Sequence, residues 1–166
     1  MWKMTQKSAD KSEMNTILFP GSFDPFTVGH QSLVDRVLPL FDRVVIAVGV
    51  NSGKRSGDSV GNRIAEIERL YAGEPKVRVI SYEGLTVDAC RREGAHWMLR
   101  GVRSAIDFEY ERNLADINRR ISGVETMLLF TLPEYAAVSS SVVRELCSYG
   151  YDVGEFLPKK TNTLLT

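Results

Sequence analysis

A chain of 166 residues, 43% of them apolar and 25% charged, has the length and balance of one soluble domain with a substantial core. Its 21 basic and 21 acidic residues cancel, which argues against bulk binding to nucleic acid or a membrane surface but not against a local cationic pocket. No run reaches the ~18 apolar residues of a membrane span, and Cys90 and Cys147, far apart and in no metal or redox spacing, are expected as buried free thiols on helical faces of a protein of the reducing cytoplasm.

Residues 1–15 are polar and mixed in charge, without the apolar centre of a signal peptide, and are expected as a flexible tail ahead of a single domain over 16–158, with a second tail at 159–166. Ile17–Phe19 is a short apolar run. It leads through Phe-Pro-Gly-Ser-Phe-Asp-Pro-Phe-Thr-Val-Gly-His, residues 19–30, into helical spacing at Leu33, Val34, Val37, Leu38 and Phe41. Strand, tight turn and helix are expected. Gly21 permits a turn that a side chain would obstruct, and the turn delivers Ser22 and Phe23 to the carboxyl end of the strand, where open α/β sheets bind ligands. Thr27 and His30 share a face of the first helical turn, where free N–H groups and the helix dipole attract phosphate. Gly29 allows a ligand close to the main chain. The same pattern also occurs in strand–helix turns with no ligand, and Asp24 reads best as an Asx residue stabilising the turn.

Arg43–Val50 is near-continuously apolar, as in a parallel strand covered on both faces. A polar loop, Asn51–Ser59, carries Lys54 and Arg55. Ser59 is placed to cap a helix with Ile64, Ile67, Leu70 and Tyr71 on its apolar side, broken at Glu74-Pro75. Val77–Tyr82 reads as a third strand, Leu85–Glu93 as a helix stopped by Gly94, and Trp97–Leu99 as a fourth strand ending at Arg100. Gly101-Val102-Arg103 turns into a long helix over about 107–121. A strand over Glu125–Leu132, a loop over Pro133–Val138, and a helix opened by Ser139-Ser140-Ser141 and running through Leu146 to a stop at Gly150 complete the order, with a short turn near Val153–Leu157. This alternation predicts right-handed crossovers and a doubly wound α/β domain on a five-stranded parallel sheet. The loops at 21–26, 51–59, 83–86, 100–105 and 132–140 then gather on one edge.

Lys54, Arg55, Arg100 and Arg103 fall on those loops and, in a neutral chain, point to an anionic substrate; each alone is also an ordinary surface cation. The three serines offer hydroxyls and free N–H groups at a helix start, where a cap needs one of them. Glu111 is expected on an exposed helix face. Neither GxxxxGK[ST] nor GxGxxG is present, so a P-loop phosphotransferase and a dinucleotide dehydrogenase are unsupported, and two histidines make a histidine metal site an unfavoured reading.

Thr27-Val28-Gly29-His30 resembles the (H/T)-x-G-H signature of nucleotidylyltransferases, and Gly21-Ser22-Phe23-Asp24-Pro25 stands where that superfamily carries Gly-[ST]-Phe-Asp-Pro. The run from Arg100 to Glu111, Arg-Gly-Val-Arg-Ser-Ala-Ile-Asp-Phe-Glu-Tyr-Glu, resembles the RG(L/V)R-x-x-x-D-F-E-Y-E signature of the bacterial phosphopantetheine adenylyltransferase family. Val138–Glu145 resembles that family's ISSS-x-(V/L)-(R/K)-E segment. The likeness runs from about Thr16 to Pro158.

The resemblance implies a Rossmann-like nucleotidyltransferase fold and, with Mg²⁺, conversion of ATP and 4′-phosphopantetheine to dephospho-coenzyme A and pyrophosphate, the penultimate step of coenzyme A synthesis, in a cytoplasmic homohexamer. By position, Ser22, Phe23, His30, Gly101, Val102, Arg103, Glu111, Tyr135, Ala136, Ala137, Val138, Ser139, Ser140 and Ser141 would contact ATP. Ser22, Lys54, Thr86 and Arg100 would contact phosphopantetheine. His30, as donor to the α-phosphate, with Lys54 and Ser22, would be catalytic, and no protein metal ligand is implied. A phosphate nucleophile with a second pKa of about 6 needs no general base near neutrality, which suits a site of cations, hydroxyls and helix ends. Ser22 stands where the family often has Thr, Thr86 where Met or Leu is common, Asn62-Arg63 in place of the usual Glu-Glu-Arg run, and Tyr135 where Trp is common. The first thirteen residues have no family counterpart. These departures bear on pocket shape and nucleotide packing.

Overall fold

The computed structural model describes residues 14–50 and 59–160. The loop of Lys54 and Arg55, most of the expected N-terminal tail and the last six residues lie outside the described residues. Five strands, β1 (Thr16–Gly21), β2 (Arg43–Gly49), β3 (Val77–Tyr82), β4 (Trp97–Val102) and β5 (Glu125–Phe130), form one parallel sheet in the order β3-β2-β1-β4-β5. The helices are α1 (Val28–Val37), α2 (Val60–Leu70), α3 (Thr86–Glu93), α4 (Ala105–Ser122) and α5 (Ser140–Ser148).

The central strands are apolar at successive positions because both faces of the sheet are covered. Their period-two alternation divides the core. Ile17, Phe19, Val44, Ile46 and Val48 pack with Leu33, Val34 and Val37 of α1 and Ile67 of α2. Leu18, Val45, Ala47 and Met98 pack on the other face with Val87, Ala89 and Cys90 of α3. This is the Rossmann-like, doubly wound arrangement expected from the alternation of elements.

From β1 the chain builds outward to β2 and β3, then returns past β1 to place β4 and β5 on the far side. The direction reverses between β1 and β4, the point where such sheets open a ligand crevice. β1 keeps a six-residue register with β2, yet pairs with β4 only at Ile17↔Trp97 and Leu18↔Met98. Pro20 has no N–H with which to extend the ladder, and the two strands part toward their carboxyl ends. Arg100 spans the gap instead, donating from Nη1 to the Pro20 carbonyl at 3.3 Å.

Some boundaries differ from expectation for identifiable reasons. β4 continues to Val102, not Leu99, because Arg100, Gly101 and Val102 pair with Leu128, Leu129 and Phe130 of β5. α4 starts at Ala105 because Ser104 accepts from the Asp107 N–H as its N-cap. Cys90 is buried as expected, but Cys147 is exposed, because α5 turns Val143 rather than Cys147 into the core. Among the described residues, no helix is long and apolar enough to cross a membrane.

Candidate active site

A cleft of about 450 Å³ opens where β1 and β4 part, walled by the β1–α1 turn, the first turn of α1, the end of β4, α4 and the start of α5. Ser22, Phe23, His30, Arg100, Gly101, Arg103, Glu111, Val138, Ser139 and Ser140 all line it.

His30 is fixed by a capping box. Its N–H donates to Thr27 Oγ1 at 3.4 Å, and the Thr27 N–H donates to His30 Nδ1 at 3.0 Å. Nδ1 therefore serves as the acceptor and Nε2 carries the ring proton. The ring sits among Phe19, Phe23 and Phe26, with the Phe23 centroid at 5.1 Å in an edge-on arrangement. Burial first, then the charges of Arg103 and Arg100, bring its pKa from 6.5 down to about 4. At neutral pH His30 is an uncharged donor, and among the described residues its Nε2–H is left for a ligand.

Arg100 and Glu111, assigned to different substrates on resemblance, are partners. Nε and Nη2 donate to the two carboxylate oxygens at 2.8 and 2.6 Å. The expectation of an exposed Glu111 is corrected: it is 7% exposed, because α4 lays that side over β4. Burial works against the Arg100 charge, but the hydrogen bonds and charge of Glu111 outweigh it and hold the guanidinium above its usual pKa. Among the described residues, three of its five N–H groups are committed, to Glu111 and Pro20, leaving two for a ligand. Arg103, at the cleft rim, is steadied by Asp107, which accepts from its backbone N–H at 3.2 Å and from Nε at 3.3 Å.

Thr86 does not join His30. It lines a second cavity of about 180 Å³ with Met98, Leu114 and Asn118, which shares Pro20, Arg100 and Glu111 with the cleft. The Arg100–Glu111 pair thus stands between two compartments. Val102 is buried, so its side chain belongs to the core. Ser139 caps α5 by accepting from the Val142 N–H, Ser140 donates to the Pro25 carbonyl at 2.8 Å, and Ser141 accepts from Arg144 without lining the cleft. Tyr135 packs beside Gly29, and neither it nor Ala136 nor Ala137 lines the cleft. Lys54 lies outside the described residues.

A larger, mainly apolar hollow of about 850 Å³ lies between α2, α5 and the segment around 153–160, but it contains none of His30, Arg100 and Arg103. The donors converge on the smaller cleft, which makes it the candidate active site. The sequence reading missed the tie between Arg100 and Glu111 and the contacts that hold the turn's carbonyls, made by Arg63, Arg144 and Ser140. The Thr27–His30 spacing was the one legible trace of the capping box.

The class of the protein follows from this sheet and the donors gathered at its split. Residues 18–146 match the cytidylyltransferase-like family, making the chain a member of the nucleotidyltransferase superfamily. A lipopolysaccharide core biosynthesis protein from Thermoplasma volcanium shares the fold, with a TM-score of 0.53 at 18% identity over 72% of this chain and 98% of that one. Within that class the chain is similar to the phosphopantetheine adenylyltransferases of Porphyromonas gingivalis, 54% identical over 87% of this chain and 95% of the relative, and of Phocaeicola vulgatus, 48% identical over 88% and 97%. That of Bacteroides fragilis is 47% identical over the same shares, 88% and 97%. The chain belongs to the phosphopantetheine adenylyltransferase family.

Proposed function

We infer that this chain transfers the adenylyl group of ATP to 4′-phosphopantetheine, forming dephospho-coenzyme A and releasing pyrophosphate. The observation that carries this reading is the pair of cavities meeting at Arg100 and Glu111, with His30 on one side and Thr86 on the other. A phosphate oxygen of phosphopantetheine attacks the α-phosphorus of ATP, the bond to the bridging oxygen breaks, and pyrophosphate leaves with that electron pair. The nucleophile is already ionised, so the protein aligns two polyanions and neutralises charge.

Neutral His30 donates from Nε2 to the α-phosphate as charge grows there. The two free donors of Arg100 take the acceptor phosphate, Arg103 takes the leaving phosphates, and Ser22 and the start of α5 add hydroxyl and N–H donors. Lys54 is assigned beside His30 on the family resemblance alone. The two carboxylates facing the cleft, Asp107 and Glu111, are each engaged by an arginine, and among the described residues no group of three or more His, Cys, Asp or Glu could hold a metal. This donor set fits Mg²⁺ carried on ATP oxygens, where it neutralises charge when bound.

We take 16–158 as the catalytic domain, flanked by tails, and place the enzyme in the cytoplasm as a homohexamer. Exposed Ile106, Tyr110, Leu114, Ile117 and Ile121, spaced along one face of α4, support self-association. Light scattering is expected to give about six times the 18.6 kDa chain mass, and a monomer at micromolar concentration would overturn the hexamer. Purified protein is expected to release pyrophosphate from ATP, in preference to CTP, only when phosphopantetheine is present. Folded protein that releases none under those conditions would sink the assignment.

A further inference from the structure

We propose that Arg63 of α2 is a positioning residue for the phosphate site: by holding the Ser22 carbonyl it turns the Ser22–Phe23 peptide so that the Phe23 N–H meets the anionic ligand. This rests on the nucleotide-binding reading above and assigns a role to a residue that lines no part of the cleft.

Arg63 is 4% exposed and its Nη1 donates to the Ser22 carbonyl. From another helix, Arg144 of α5 donates to the Asp24 carbonyl. Phe23, between the two held carbonyls, has φ 47°, a left-handed conformation that a side chain rarely adopts unless its surroundings impose it. A trans peptide sets its N–H opposite its C=O. With the Ser22 oxygen drawn toward α2, the Phe23 N–H faces away from α2, on the side where Ser22 and Phe23 border the cleft. That N–H has no hydrogen-bond partner among the described residues, although Phe23 is only 2% exposed. A buried donor left without a partner is costly and calls for a ligand.

Arg63 itself is an expensive way to fill space, since its buried Nε has no partner among the described residues. An apolar side chain would serve packing better. What the guanidinium alone supplies is a hold on the carbonyl and a positive charge behind the phosphates. The same hold sets the Phe23 ring edge-on to His30, with centroids 5.1 Å apart at 86°.

The test uses full-length protein labelled with ¹⁵N at its seven phenylalanines, titrated with inorganic pyrophosphate and with ATP, alongside steady-state kinetics. In the parent, the Phe23 amide resonance is expected to move downfield with either ligand. In Arg63→Met that movement is lost, and kcat falls about 10- to 100-fold while KM for phosphopantetheine stays within about threefold. A Phe23 shift that is absent from the parent, or the same in folded Arg63→Met, overturns the proposal. If Arg63→Met does not fold, Arg63→Lys decides: it keeps the charge but ends about one bond short of the carbonyl, so at least half of the shift should be lost, and a full shift overturns the proposal. If the parent makes no dephospho-coenzyme A but its Phe23 amide still answers pyrophosphate only with Arg63 in place, the enzymatic assignment falls and the positioning role stands.

Discussion

Arg100 and Glu111 meet as a two-bonded pair on the wall between the cleft and its smaller neighbour, Nε to Oε2 at 2.8 Å and Nη2 to Oε1 at 2.6 Å. The parallel bonds fix the plane of the guanidinium and aim its remaining donors. Glu111→Ala is expected to leave the guanidinium without its partner and destabilise the fold by about 2 kcal/mol, between the values for exposed and buried pairs. Phosphopantetheine KM should rise more than ATP KM. Urea unfolding and initial-rate kinetics check this, and an equal rise for both substrates would remove Arg100 from the acceptor phosphate.

His30 titrates at 6.5 when unfolded and at about 4 when folded, held low by burial and then by Arg103 and Arg100. Between those values the unfolded chain carries the extra proton. The contribution is therefore complete above pH 6.5 and is lost as the pH falls through 4, amounting to about 3 kcal/mol. His30→Gln should flatten the fall in unfolding free energy between pH 7 and pH 4 by that amount; an unchanged slope would contradict it. Turnover by His30→Ala should drop by ~2–4 kcal/mol of transition-state stabilisation. An acid limb of kcat/KM near pH 6, set by the second ionisation of the substrate phosphate, is expected and should persist in His30→Gln.

At Gly21 an added Cβ would lie 2.7 and 2.8 Å from Phe23 ring atoms, and that ring is buried. Gly21→Ala is expected to cost about 1–3 kcal/mol through overpacking and to lower kcat by dislodging the ring from His30. At Gly61, exposed in α2, a Cβ would meet nothing within 4 Å. Gly61→Ala should stabilise by about 0.5–1 kcal/mol. Thermal melts of the two variants should move in opposite directions.

Cys90 is buried and its thiol is pushed up to about 11 by that burial, whereas Cys147 is exposed. At pH 7.5 a maleimide should label one thiol per folded chain, and Cys147→Ser should abolish the fast reaction. Cys90 should react only on unfolding; rapid labelling of both would contradict its burial.

Sequence alone was enough for the α/β alternation, because strands buried on both faces must read as unbroken apolar runs and covering helices must carry apolar stripes. It also located the turn that borders the cleft, since Gly21, Thr27 and His30 fall at local spacings on one strand–helix junction. Tertiary structure decided what no spacing encodes. The split between β1 and β4 arises where Pro20 cannot donate to β4, Glu111 is buried because α4 lies over β4, and the carbonyls of the turn are held from two other helices. Contacts between distant segments depend on how layers pack, and a one-dimensional pattern records which side of a helix is apolar but not which polar group waits beneath it.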